Sequence, residues 1–215
     1  MTPPAPARSL PRQVDGTTCG IAALAAVAAR AGRHPQYLDP ETPDWQIAAF
    51  QERLHRLASR VPPPWPLSRG TSPWALAALA GSAIGRRHRI RLWTAAVRER
   101  MDRVLERGLD AFLFVGGGSR GAASAAAQSP ELGRLRLLSE DAAAYLDSQG
   151  LDVVTRHVVA VLGPESAAAG RYAVFEPSSG RVFRIDRDAL VDPDPPRLPA
   201  LGNWRRPLLA VLPEA

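Results

Sequence analysis

The sequence has one cysteine, no lysine, two methionines, and aromatic residues at only 6% of its 215 positions. A single thiol forbids an internal disulfide, and it excludes the paired-cysteine spacings of structural zinc sites. His34, His55 and His88 share no ligand spacing with one another or with the cysteine, so no metal is expected. The longest small-apolar run, Ile21 to Ala29, is about half of what a membrane span needs. The opening MTPPAPARSLP has no apolar centre of the kind a secretory signal carries. Neither a P-loop nor a GxGxxG fingerprint is present, and the GGG at 116–118 has nothing else of a phosphate loop around it. These absences predict a soluble, cytoplasmic protein that needs no cofactor and has no membrane partner.

All 27 basic residues are arginine, against 21 acidic ones, for a net charge of +6. Such a balance ordinarily raises nucleic-acid binding. Here Ala, Arg, Pro and Gly are abundant together, which is the mixture that GC-rich coding produces. The one dense cluster, GRRHRIRLW (85–93), alternates basic with apolar residues. That period of two belongs to a strand with one wet face. The expectation is a solvated edge strand, with no specific nucleic-acid binding.

What is present centres on QVDGTTCGIAALAAVAAR, residues 13–30. Cys19 follows a polar turn and opens an Ala-rich run with helical character. A cysteine at a helix N-terminus faces unpaired N–H groups and the positive end of the helix dipole. Both favour thiolate, the nucleophilic form. Gln13 lies six residues upstream, near enough in chain for its amide to join the Cys19 N–H as an oxyanion donor. Asp15, between them, reads as a turn former or helix cap.

A thiolate needs a base. Of the four histidines, only His157 stands in a strand-like run, RHVVAVLG, which would hold it rigidly. The next apolar run, RYAVFEPSSG, ends in Glu176, a carboxylate placed to fix the imidazole tautomer. Asp186 and Asn203 are rivals for that orienting role.

The order Gln, Cys, His, acid and its local wording resemble papain-like cysteine peptidases, in particular the bacteriocin-processing (double-glycine leader) class and its free-standing relatives. Those show a Gln, a Cys-Gly pair opening a small-residue helix, a His followed by apolar residues, and Asp-Pro with a Gly soon after. The matching residues are Gln13, Cys19-Gly20, His157-Val158-Val159 and Glu176-Pro177 with Gly180. GTSP at 70–73 resembles the Gly-Thr-x-Pro opening of a helix in that family. The chain departs from the pattern by carrying Glu176 where the family has Asp. The resemblance implies hydrolysis of a peptide or protein substrate by Cys19, His157 and Glu176, with Gln13 in the oxyanion hole. The same triad also serves acyl transfer to an amine or side-chain deamidation, and the fold can persist as a catalytically silent binding domain.

The remaining patterns predict a fold. Residues 1–12 read as an extended arm, and 13–215 as one domain with an inserted loop and helix around 116–150. Asp44 to Arg60 shows a helical stripe of Trp45, Ile47, Ala48, Phe50, Leu54 and Leu57, with Asp44 as N-cap. A helix opens at Thr71 or Ser72 with Pro73 at its first position. Strands are expected at 88–93, 111–115, 153–162, 171–176, 181–185 and 208–212, with Ser179-Gly180 as a hairpin turn. Helices that lead and antiparallel strands that follow give an α+β fold, with the first helix packed on the sheet.

Overall fold

The structure, a computed structural model, describes residues 9–116, 157–166, 170–191 and 196–214. The small-residue run forms helix α1, Cys19–Arg30, and every position from Cys19 to Ala29 is buried. Alanines on all sides allow neighbours to approach from every direction, so this helix is the centre of the helical layer. Helix α2 is Asp44–Arg60 and α3 is Pro73–Ile84. Ser72 caps α3 by accepting from the Ala75 N–H, and Pro73 fills the first turn, where no N–H is needed. Helix α4, Ala95–Glu106, is capped by Thr94, which accepts from Val97.

Among the described residues six strands form: β1 His88–Leu92, β2 Ala111–Gly116, β3 His157–Val161, β4 Arg171–Glu176, β5 Arg181–Asp186 and β6 Arg206–Pro213. They form one sheet in the order β1-β6-β2-β3-β4-β5, with every pairing antiparallel. The architecture is α+β. A one-turn helix, α5 Gly163–Ser166, follows β3. The basic cluster 85–93 does form an edge strand, β1. The β4–β5 turn closes at Gly180, whose φ of +71° is a conformation glycine adopts without strain.

Both faces of the sheet are covered. On one face Phe112, Phe114, Val158, Ala160, Ala173 and Phe175 pack with the buried side of α1. On the other, Leu113, Val159, Val161, Tyr172 and Val174 pack with Met101 and Leu105 of α4 and with Leu201. Strands β2 and β3 are therefore buried along their whole length and apolar except at His157, which opens β3, as central strands covered on both sides are.

Two local expectations need correction. Asp44 is the first residue inside α2, and Pro43 holds the cap position. The buried line of α2 is Ile47, Gln51, His55 and Ala58, while Trp45 and Leu57 are 68% and 51% exposed. The α2 stripe is thus rotated toward two polar residues, of which Gln51 hydrogen-bonds Val14, Arg12 and Tyr37. The inserted loop and helix expected around 116–150, the start of the strand at 153 and residues 1–8 of the arm lie outside the described residues, apart from Gly116 in β2. Residues 9–13 run extended along the β4–β5 turn: Ser9 bridges Arg181, the Leu10 N–H donates to the Gly180 carbonyl at 2.7 Å, and the Gln13 N–H donates to the Pro177 carbonyl at 2.9 Å.

Candidate active site

Cys19 is the first residue of α1 and is 6% exposed. The turn before it is fixed by Asp15, whose Oδ1 accepts from the Thr17 N–H at 2.6 Å and from the Thr17 hydroxyl at 2.7 Å. Asp15 is thus the turn former that its position suggests. Behind the cysteine, Gly20 brings α1 against the 70–72 segment and β3. A Cβ there would lie 2.9 Å from Thr71 Cβ and 3.4 Å from a Val158 methyl. The missing side chain after Cys19 lets the thiol-bearing helix tip close on Thr71, while the Val158 methyl of β3 stands at ordinary contact distance.

His157 opens β3, where its register partner is Val115 of β2. Glu176 closes β4. The β3–β4 ladder pairs Ala160 with Phe175 and Val161 with Val174. Beyond those pairs the side chains take over: His157 Nε2 meets Glu176 Oε1 at 2.8 Å, with both residues buried. The carboxylate is held from its own turn as well. Oε1 accepts from the Ser178 N–H and Oε2 from the Ser179 N–H, each at 2.8 Å. The carboxylate thus meets the imidazole while both its oxygens are held by the turn.

The electrostatics follow from this packing. Burial alone would lower the proton affinity of His157, but hydrogen bonds to Cys19 and Glu176, with the charge of each, lift its pKa from 6.5 to about 9. Burial opposes ionisation of Glu176, yet hydrogen bonds from His157, Ser178 and Ser179 bring it from 4.5 to about 2. With Nε2 committed to Glu176, Nδ1 is the nitrogen left to serve the thiol. No family model matches the sequence, and no curated protein matches it.

Gln13 is tied to the same turn. Its Oε1 accepts from the Ser178 hydroxyl at 3.0 Å, and its Nε2 donates to the Asp15 carbonyl at 2.6 Å. One amide hydrogen is so engaged and one is left to donate. The rivals are both exposed. Asp186 pairs with Arg171 at 3.0 Å on the outer face, with its side chain 73% exposed, and Asn203 is an exposed residue at φ +65°. Among the described residues no three His, Cys, Asp or Glu side chains are grouped to hold a metal, and no helix is long and apolar enough to cross a membrane.

Two residues at the site were not found from the sequence. Gly202 sits at φ +63° against the imidazole, where a Cβ would lie 2.6 Å from His157 Cδ2 and 2.9 Å from Nε2. Gln51, fully buried on α2, hydrogen-bonds the chain on both sides of Gln13. The 4, 4, 3 spacing of Ile47, Gln51, His55 and Ala58 marks one helical line and was the available signal for Gln51. Nothing local marks Gly202, which touches a ring 45 positions away.

Chemically, the arrangement offers a thiol on a helix tip, an imidazole able to take its proton, and a buried carboxylate that fixes and stabilises the charged imidazole.

Proposed function

We propose that the protein is a cytoplasmic cysteine peptidase with a papain-like fold, acting on a peptide or protein substrate. His157 takes the Cys19 proton at Nδ1. The thiolate attacks the scissile carbonyl, and the Gln13 amide and Cys19 N–H stabilise the oxyanion. Collapse of the tetrahedral adduct breaks the C–N bond, with His157 returning the proton to the leaving amine. Water then attacks the thioester with His157 as base, releasing the acid and restoring the thiol.

The reading rests on one observation: a buried histidine hydrogen-bonded on Nε2 to a buried carboxylate at 2.8 Å and interacting through its ring with the one cysteine of the chain. The order of residues around Gln13, Cys19, His157 and Glu176-Pro177 supports the family assignment.

The test is alkylation followed by product analysis. Because His157 stays protonated up to about pH 9, a positive charge stands beside the sulfur throughout pH 6–8. Iodoacetamide is expected to label Cys19 at pH 6 about tenfold or more faster than it labels glutathione, and His157→Ala is expected to abolish the advantage. Incubation of wild type and Cys19→Ala with a peptide mixture then separates hydrolysis, transfer and deamidation by mass change. Labelling no faster than glutathione, climbing only toward pH 8.5, would overturn the reading and leave a binding domain.

A further inference from the structure

We propose that Gln51 is a positioning residue for the oxyanion donor Gln13, acting independently of the Cys19–His157–Glu176 relay; this rests on the peptidase reading above. Gln51 is fully buried in the middle of α2. Its Oε1 accepts from the Val14 N–H at 3.1 Å, and its Nε2 donates to the Arg12 carbonyl at 2.8 Å. Both partners are immediate neighbours of Gln13, so one side chain clamps the backbone on either side of the proposed donor. The clamp is itself fixed, because Gln51 Nε2 also meets the buried Tyr37 hydroxyl at 2.8 Å.

The opposite edge of the same segment is pinned to the β4–β5 turn. The Gln13 N–H donates to the Pro177 carbonyl at 2.9 Å, and Arg12 Nε donates to the Ser178 carbonyl at 2.9 Å. Gly180 permits this contact: a Cβ there would lie 2.6 Å from the Leu10 carbonyl oxygen and 2.7 Å from Arg12 Cγ. Residues 12–14 are thus held between α2 and the turn that carries Glu176. Of these two anchors, only Gln51 touches none of the residues that bind His157. An amide is suited to the task because it accepts from one backbone group and donates to another at a single spacing, which neither a carboxylate nor an apolar side chain of that length does.

The experiment compares two reactions of Cys19 that differ in whether an oxyanion forms. Alkylation by iodoacetamide forms none. Hydrolysis of p-nitrophenyl acetate passes through one, and its rate is taken after subtracting the Cys19→Ala background. Gln51→Met is expected to lower ester turnover about 10–100-fold, with KM within about twofold and the alkylation rate within about twofold of wild type. Gln13→Ala should behave alike, and the double variant should be no worse than the worse single one. Should Gln51→Met not fold, Gln51→Glu serves. It keeps the acceptor for Val14, and only its protonated form can donate to Arg12. Its turnover relative to wild type at the same pH should therefore rise as pH falls.

Turnover unchanged in folded Gln51→Met, alkylation lost in step with turnover, or a flat Gln51→Glu ratio would each overturn the inference. Failure of wild-type Cys19 to alkylate faster than glutathione overturns the peptidase reading instead, so the two failures are distinguishable.

Discussion

Replacing Glu176 by Gln removes one charge from the buried relay while keeping its shape. The carboxylate now accepts from His157 Nε2, the Ser178 N–H and the Ser179 N–H, all at 2.8 Å, and it is 3% exposed. Its pKa of about 2, against 4.5 unperturbed, measures how strongly those partners prefer the ionised form. At about 1.4 kcal/mol for each tenfold change in proton affinity, that is about 3 kcal/mol. The lift of His157 to about 9 reports partly the same interaction and is not added to it. The sign follows from which state binds the proton more tightly. A carboxyl with a depressed native pKa stabilises the fold fully above pH 4.5, and that contribution fades as pH falls toward 2. His157, raised, stabilises fully below pH 6.5, and its contribution fades as pH rises through 9. Urea unfolding of wild type and Glu176→Gln at pH 7, 5, 4 and 3 is therefore expected to show a deficit of about 3 kcal/mol at pH 7. The deficit should shrink to about 1 kcal/mol or less near pH 2–3, where only lost hydrogen-bond geometry remains. Turnover at pH 7 should drop about a hundredfold or more, because an amide at that position can turn its own donor toward the ring and does not stabilise an imidazolium. A deficit that is the same at pH 3 as at pH 7, or none at either, would refute the argument that Glu176 is ionised against His157.

Two further perturbations follow from the packing. Gly202→Ala places a Cβ within 2.9 Å of His157 Nε2 at a backbone φ of +63°; the ring should be pushed off Glu176, with iodoacetamide labelling slowed about tenfold and stability lowered by about 1–3 kcal/mol, and unchanged labelling would show that the loop yields instead. Arg30 pairs with Asp110 at 2.9 Å and with Glu165 at 2.6 Å, and Asp110 also accepts from the Gly163 N–H. Arg30→Met should cost about 1–3 kcal/mol in urea unfolding, because it leaves the part-buried Asp110 carboxylate without its ion pair, while labelling of Cys19 at the opposite end of α1 stays as in wild type; a parallel loss of labelling would show that the Arg30 anchor also sets the position of the helix tip.

Much of this architecture was readable because local chemistry and tertiary demand agree. The run from Cys19 to Ala29 is so uniformly small and apolar that only burial on all sides suits it. Ser72-Pro73 and Ser179-Gly180 are read from backbone preferences alone. The alternation of 88–92 belongs to an edge strand whose outer side meets water. The α2 face was misread where the two demands part. Trp45 and Leu57 satisfy the helical period but point outward, and the two polar residues Gln51 and His55 take the inner line. A polar side chain on a helix counts as exposed until its partners are known, and the partners of Gln51 lie 14, 37 and 39 positions away.

The same contrast explains the candidate site. Cys19, His157 and Glu176 announce themselves because their elements place them: one opens a helix, one opens a strand and one ends a strand. The groups that set their distances do so through what they lack or through main-chain bonds, and a sequence records neither. Gly20 lets α1 close on Thr71 by having no Cβ, and Gly202 bounds the imidazole in the same way. The reach of Glu176 belongs with them, because the Ser178 and Ser179 N–H groups turn back and hold both carboxylate oxygens where the ring meets them. Shortening the residue to Asp while keeping that turn would have to stretch either the 2.8 Å bond to His157 or the two bonds to the turn. The identity of the acid is therefore a property of the β4–β5 turn as much as of the relay, and a substitution at Glu176 is interpretable only together with the backbone that follows it.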